Sequence, residues 1–357
     1  MPKTKGVKQA NRGFVRSALK LIYTLLAQIL FPNELEQLLR ALLKARGSYL
    51  SRLGNEGRKA LRTLNRINVE DVRKAIKELG KKVLRETRDR RVAIDFHAIP
   101  QYHKDKRLLS RIRPNKGTSW GLAQIVIYLL GRKRAFLDVL PITTKKIAED
   151  FKKVMQVLME ELDSEGLRLV MVFADREFAV NEVVKFLLDM GLDFVIAAKA
   201  QMYEKYLGML SPVDVYYAGV RYVGFLCVRH YSGACLVMLK RDGGGVIGFL
   251  VRGEVDVQGA VVLAEMYRVR WGVENAFRSL EEFRVRSRTC DVRKELVLIL
   301  LSYLLVNIWF LVRSWRRVRL WEFCESLLEG LEVSRSSRDQ RGRGRVLSRK
   351  CFSLKSS

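Results

Sequence analysis

Residues 92–99 read VAIDFHAI, a short apolar run interrupted by one carboxylate, Asp95. A run of this length, bounded by polar residues and containing β-branched and aromatic side chains, is typical of a buried strand. Two further apolar runs follow, LAQIVIYLL at residues 122–130 and AFLDVLPI at residues 135–142, with a short turn-like segment between them. We therefore expect a strand followed by a hairpin.

Downstream of this hairpin, strand and helix patterns alternate. Apolar spacing predicts helices over residues 146–162 and 181–190, and strands over residues 167–174 and 194–198. Residues 213–252 hold several short alternating segments, and the helical pattern resumes near Ala260. We predict an α/β fold, a mixed sheet flanked by helices with a β-rich insertion.

The charge balance indicates the class of partner. The chain has 66 Lys and Arg against 38 Asp and Glu, a formal net charge of +28. Such an excess concentrates polyanions, so nucleic acid is the expected partner. Hydrophobic residues at 48% rule out a wholly disordered chain. Five cysteines without a Cys-x-x-Cys spacing fit neither a disulfide framework nor a zinc ribbon, and they favour a reducing intracellular setting.

The positive charge is concentrated at the two ends of the chain. Residues 1–90 carry 22 basic and 8 acidic side chains, and residues 331–357 carry 8 basic and 2 acidic ones. The first segment has helical apolar spacing, whereas the last has almost no apolar content. We expect a basic helical DNA-binding domain over residues 1–90, an α/β domain over residues 91–330 with its β-rich insertion at about 200–258, and a disordered basic tail over 331–357.

Two apolar stretches raise the question of a membrane. Residues 21–31 follow a basic start but have helical periodicity and no small-residue cleavage site, which indicates an amphipathic helix rather than a signal sequence. Residues 296–312 number 17, below the roughly 20 that a bilayer span needs. We interpret them as a core helix and expect no membrane contact, with a membrane anchor as the minority alternative.

Three carboxylates stand out by their positions in this pattern. Asp95 lies within an apolar strand, where a buried carboxylate is costly without a partner. Asp175 directly follows a predicted strand, at the edge of an α/β sheet where ligands usually bind. Glu274 lies in the helix predicted to begin near Ala260. Oxygen ligands from three separate elements are a common way to assemble a Mg²⁺ site.

Residues 267–278, YRVRWGVENAFR, resemble the third motif of DDE-type insertion-sequence transposases, in the branch with the pattern Tyr-x2-Arg-x3-Glu-x6-Lys. Tyr267, Arg270 and Glu274 match its spacing, Glu281 stands where the family has Lys, and Arg278 is a candidate substitute. On one continuous helix these positions face the same side. The segments IDFH at residues 94–97 and ADREF at residues 174–178 resemble the first and second motifs, so the resemblance spans about residues 91–312.

The resemblance implies a ribonuclease H-like catalytic core and a DNA transposase that cleaves insertion-sequence ends and transfers strands into target DNA. Its cofactor would be two Mg²⁺ ions, with Mn²⁺ as a substitute. Asp95 would bridge both ions, and Asp175 and Glu274 would each hold one.

Arg270 and Arg278 would hold DNA backbone phosphates, and Tyr267 would donate a hydrogen bond to a phosphate. The family also implies a homodimer on double-stranded DNA, in the cytoplasm of a prokaryotic cell.

Arg278, one turn after Glu274, is the last member of the predicted DNA-binding set. Non-catalytic interpretations also exist for the motif residues, including an i,i+4 ion pair between Arg270 and Glu274. His97 shares a strand face with Asp95, and we expect it to be structural. A catalytically silent DNA-binding protein derived from a transposase and a structure-specific nuclease with the same core stay open as alternative functions.

Two tryptophans, Trp120 and Trp271, suit stacking on unpaired bases. Burial of the indole is the more common arrangement, and we expect it for both.

Overall fold

The structure is a computed structural model of the chain. It describes residues 4–143, 146–289, 291–315 and 318–333. The chain divides into two compact units. The first, called the helical unit, comprises Met1–Ala75, Glu281–Thr289 and Val297–Ser357, and the second, called the sheet unit, comprises Ile76–Leu280 and Cys290–Leu296. The predicted domain boundaries near residues 90 and 330 stay predictions.

Helices and strands are numbered in chain order. The α-helices are α1 (Thr4–Leu26), α2 (Pro32–Ala45), α3 (Gly54–Thr63), α4 (Val69–Arg85), α5 (Ile147–Asp163), α6 (Asn181–Asp189), α7 (Ala200–Tyr203), α8 (Val257–Arg268), α9 (Trp271–Phe283) and α10 (Val292–Trp315). A further helix covers residues 320–333. The strands are β1 (Arg91–Pro100), β2 (Ser110–Asn115), β3 (Thr118–Leu129), β4 (Ala135–Ile142), β5 (Met171–Ala174), β6 (Phe194–Ala197), β7 (Ser211–Tyr217), β8 (Val220–Arg229), β9 (Cys235–Arg241) and β10 (Val246–Val251).

The helical unit is built from amphipathic helices. The leucines that gave α2 its predicted periodicity are all buried: Leu35, Leu38, Leu39, Leu42 and Leu43. The helix over residues 320–333 approaches α1 closely, because a Cβ at Gly330 would lie 2.6 Å from Val15 Cγ1. The predicted helices of the N-terminal segment are thereby confirmed. Of the predicted basic tail, residues 334–357 lie outside the described part of the chain.

Helix α10 contains the apolar stretch whose relation to a membrane was in question. It has 24 residues rather than the 17 counted from the sequence, so the argument from length was wrong. Residues 292–314 are long and apolar enough to cross a membrane by composition alone, but the apolar window is 100% buried within the protein. Burial identifies α10 as a core helix, as expected.

The sheet unit is organised around one mixed sheet of ten strands, in the order β2-β3-β1-β5-β6-β10-β9-β8-β7, with β4 paired to β3. Strands β1, β3 and β4 are antiparallel neighbours, whereas β1, β5 and β6 run parallel. The crossover to β5 uses α5, and the crossover to β6 uses α6. The β-rich block β7–β10 continues the same sheet, because β10 pairs with β6.

Most predicted elements of the sheet unit are confirmed, including β1, the hairpin β3–β4, and the helices α5 and α6. Strand β5 begins at Met171 rather than at residue 167. Strand β2 was not predicted at all. It is an edge strand with mostly exposed residues and Pro114 within it, and such strands lack the apolar run that identifies a central strand.

Candidate active site

The first two motif carboxylates, Asp95 and Asp175, lie side by side at two neighbouring inner strands of the sheet. Ile94 of β1 pairs with Ala174 of β5 in the parallel register, so Asp95 is the next residue of β1 and Asp175 directly follows the end of β5. Neighbouring strands are about 4.8 Å apart, and residues at the same level of a parallel pair point to the same face. The fold therefore brings together two residues that are far apart in the sequence.

The third motif does not lie on one continuous helix, so that expectation was wrong. Helix α8 ends at Arg268 and α9 begins at Trp271. The N–H of Arg270 donates to the carbonyl of Tyr267 at 2.9 Å, an i to i−3 bond that tightens the turn between the two helices. Arg270 therefore lies in the turn between the two helices, and its side chain still lines the same cavity as that of Glu274.

From this turn the Arg270 guanidinium bridges two of the predicted catalytic carboxylates. Its Nη1 donates to Asp95 Oδ2 at 2.8 Å, and its Nη2 donates to Glu274 Oε1 at 3.1 Å. Arg270 and Asp95 are each only 8% exposed. The i,i+4 ion pair between Arg270 and Glu274 does exist, but its arginine also neutralises a buried strand carboxylate 175 positions away.

The face of β1 that carries Asp95 also fixes the position of α9. His97 stacks on Phe277 of α9, with ring centroids 4.3 Å apart and planes inclined by 8°. Phe277 lies close to one helical turn after Glu274, so this stack holds the Glu274 segment over β1. The contact supports the structural interpretation of His97.

Tyr267 connects α8 to the end of β5. Its hydroxyl donates to the carbonyl oxygen of Ala174 at 3.3 Å, directly before Asp175, and the Arg270 guanidinium lies 5.4 Å from its ring centroid. Asp175, Tyr267, Arg270 and Glu274 all line one cavity of about 510 Å³. Tyr267 therefore holds the backbone that presents Asp175 to this cavity.

Burial and mutual charge interactions shift the pKa values of this cluster. Burial raises the pKa of the Asp95 carboxyl to about 6, with Arg270 and the Phe96 N–H opposing the rise and the Asp175 and Glu274 carboxylates adding to it. Burial likewise raises the pKa of the Tyr267 hydroxyl to about 12, so it stays a hydrogen-bond donor at neutral pH. Burial by itself lowers the pKa of Arg270, but Tyr267 and the three carboxylates outweigh burial and raise it.

The raised pKa of Asp95 predicts a pH dependence of stability without metal. The pKa lies above its ordinary value of 3.8, so the folded protein binds this proton more tightly than the unfolded chain does. The stability that Asp95 contributes is therefore greatest below about pH 4 and is lost as the pH rises to about 6. A shift of two units corresponds to about 3 kcal/mol.

Urea unfolding in EDTA, between pH 4 and pH 7, measures this effect when Asp95→Asn is compared with the wild type. The free-energy difference should change by about 3 kcal/mol in favour of the variant as the pH rises, because asparagine does not titrate. A difference that stays constant across this range would contradict the raised pKa.

Not every predicted site residue joins the cluster. Arg278 is exposed on α9 and does not line the cavity. Glu281, at the position of the family lysine, pairs with Arg284 at 2.8 Å and Arg286 at 3.8 Å within the helical unit. Its carboxylate thus binds cations of its own chain. Among the described residues, no group of three His, Cys, Asp or Glu side chains is arranged to hold a metal ion.

Sequence reasoning missed some residues at this edge of the sheet. Arg176 lines the cavity beside Asp175, and its place directly after that aspartate was the available signal. Trp271 is 55% exposed and also lines the cavity, so the expected burial of this indole was wrong. The Trp120 indole is covered by cations, with Lys106 and Arg111 at 4.5 and 4.3 Å from its ring centroid.

Comparison with known proteins agrees with this fold. Residues 86–305, more than half of the chain, match the family model described as Transposase DDE domain. No curated protein matches the chain. Among solved structures, it is similar to the cryo-EM structure of the piggyBac transposase synaptic complex with hairpin DNA, with 13% identity, a TM-score of 0.55, and coverage of 84% of this chain and 70% of that one.

That structural similarity confirms the predicted ribonuclease H-like α/β fold. Members of the matched family generally use divalent metal ions and act on DNA. The chain therefore belongs to the transposase DDE domain family and is a DNA transposase, an enzyme that cleaves DNA and transfers strands.

Proposed function

We propose that Asp95, Asp175 and Glu274 are the catalytic carboxylates of this transposase. The observation that carries the proposal is the bridge that Arg270 makes between Asp95 and Glu274, at the edge where the strand register sets Asp175 beside Asp95. Arg270 is buried and contacts carboxylates from two separate elements, Asp95 of the central strand β1 and Glu274 of α9. An ordinary surface ion pair would not have this arrangement. Three converging carboxylates are the group that metal-dependent phosphoryl transfer requires.

The donor chemistry of this cluster fits divalent cations. Asp95 and Glu274 contact Arg270 directly. The charge of Asp175 also raises the pKa of this arginine, and hard oxygen donors suit Mg²⁺ or Mn²⁺. Arg270 supplies a positive charge to the cluster in the structure, and its buried Nε has no hydrogen-bond partner among the described residues. An unsatisfied buried donor is costly, which lowers the net stabilisation that Arg270 gains from its two ion pairs. Asp95, Asp175 and Glu274 would hold two Mg²⁺ ions after Arg270 releases its two carboxylates.

When bound, such ions activate the attacking oxygen and stabilise the leaving oxygen of the scissile phosphodiester. The chain's own residues position the DNA. Arg270, once released, has its guanidinium fork free for a backbone phosphate, and Arg278 presents a second cation on α9. Tyr267 keeps the end of β5 in place through Ala174.

The proposed substrates are the two ends of an insertion sequence and a double-stranded target DNA. A homodimer on DNA would bring the two ends together. We further propose that residues 1–90 add sequence-independent DNA affinity through their positive charge, and that the protein works in the cytoplasm of a prokaryotic cell.

Product analysis tests this function. The purified protein is incubated with duplex DNA carrying the element ends, with a target plasmid, and with Mg²⁺ or EDTA. We expect nicked ends and joined end-to-target products in Mg²⁺ only. Nicking without joined products would favour a structure-specific nuclease, and metal-independent retention of DNA without cleavage would favour a silent relative.

A further inference from the structure

A second cavity, of about 340 Å³, lies beside the candidate active site in the sheet unit. Its charged lining residues are Arg113, Arg176, Glu177 and Lys199, and we call it the edge groove. Arg176 lines both this groove and the cavity of Asp175 and Glu274. The two cavities therefore share one arginine, and a strand of DNA leaving the first would meet the second.

The topology explains why these cations converge. Arg176 follows the end of β5, and Lys199 follows the end of its parallel neighbour β6, so both lie at the sheet edge that holds Asp175. Arg113 comes from the exposed edge strand β2. A tight turn at Lys116 and Gly117, both with positive φ, joins β2 to β3.

The charges of the edge groove are only partly neutralised by the protein. Arg113 pairs with Glu177 at 2.5 Å, and both side chains are accessible, at 79% and 36% exposure. Within the described residues, neither Arg176 nor Lys199 takes part in an ion pair. The groove thus carries three cations and one anion next to a site that acts on phosphodiesters, which is the charge pattern of a phosphate-binding surface.

We propose that the edge groove binds the backbone phosphates of the DNA that adjoins the scissile bond, through Arg113, Arg176 and Lys199. Glu177 pairs with Arg113 in the free protein, and a DNA phosphate displaces the Glu177 carboxylate when DNA binds. The groove proposal depends on the proposed active site only to say which part of the DNA the groove contacts. The test of the groove measures DNA binding rather than DNA cleavage. The two proposals can therefore fail separately.

The test compares two triple variants of the full chain by fluorescence anisotropy with a duplex of arbitrary sequence, over a range of salt concentrations. The first carries Arg113→Ala, Arg176→Ala and Lys199→Ala. The matched control carries Arg132→Ala, Arg134→Ala and Arg168→Ala. These changes remove three exposed arginines from the β3–β4 turn and from the segment before β5, at the opposite ends of the strands from Asp175.

Each lost phosphate contact should lower the slope of log affinity against log salt by about 0.9. The groove variant is therefore expected to lose about 2 to 3 units of slope, and the control less than about 1. Equal slopes for the two variants would overturn the proposal. Circular dichroism of both proteins checks that they are folded.

Glu177→Gln gives a result of opposite sign. Because it removes the groove's carboxylate and releases Arg113, we expect DNA to bind about threefold tighter at low salt. A purely structural role for the ion pair would leave DNA affinity unchanged or lower it, and either result would count against the proposal.

Discussion

Asp175→Asn is expected to lower the rate of DNA cleavage by roughly 10³-fold or more while DNA binding survives. The amide has nearly the shape of the carboxylate but carries no charge, so it cannot serve as an anionic metal ligand. DNA retention should not weaken, because the substitution removes one negative charge from the cavity that we propose to bind DNA phosphate. Cleavage of labelled element ends in Mg²⁺ and gel-shift titration of the same DNA measure the two properties separately.

Asp189→Asn is the matched control for this variant. It makes the same chemical change on an exposed residue at the end of α6, away from the cavity. Its cleavage rate should equal that of the wild type. Unchanged cleavage by Asp175→Asn would remove Asp175 from the catalytic set, and loss of DNA binding together with cleavage would indicate misfolding instead.

Arg270→Ala has the second large expected effect, on stability and on metal affinity. Removing one partner of a buried ion pair costs about 3 to 5 kcal/mol, and this variant leaves both Asp95 and Glu274 without their cation. The same change removes the group that competes with metal. We therefore expect the free energy of unfolding to fall in EDTA, and the affinity for Mn²⁺ to rise about tenfold, equivalent to about 1.4 kcal/mol.

Both readouts are independent of DNA cleavage. Electron paramagnetic resonance of free Mn²⁺ gives the affinity, and urea unfolding with EDTA or Mn²⁺ gives the stability. At a metal concentration of about 100 times Kd, Mn²⁺ should restore about 2.7 kcal/mol. Arg278→Ala, at an exposed position on α9, should leave both quantities unchanged. Weaker Mn²⁺ binding by Arg270→Ala would mean that the arginine supports the metal site instead of competing with it.

The edge strand and the turn within the third motif show where sequence patterns fail in this protein. Strand β2 contains Arg111, Arg113 and Pro114 and has no apolar run. An edge strand can accept such residues, because one of its sides makes no backbone hydrogen bonds to another strand and its faces are exposed to solvent. The break between α8 and α9 at Val269 and Arg270 contains no proline and no pair of glycines, so the sequence shows no signal for it. The prediction of one continuous helix was therefore wrong, although Tyr267, Arg270 and Glu274 do face one cavity, as the spacing of the motif implied.

The apolar helix α10 illustrates a different limit. Its composition and its true length of 24 residues satisfy the requirements of a bilayer span, and only the burial of its apolar window identifies it as a core helix. Composition measures how apolar a segment is. It does not reveal whether lipid or protein covers that segment.

The sequence by itself determined the α/β class, most of the strands and helices of the sheet unit, and the three carboxylates as candidates. These follow from local periodicity and from motif spacing, which are properties of neighbouring residues. Only the tertiary structure decided that Asp95 and Asp175 lie side by side, that one arginine bridges Asp95 to Glu274, and that Arg113, Arg176 and Lys199 line one groove. Those relations depend on strand register and on contacts between distant segments, and no local pattern encodes them.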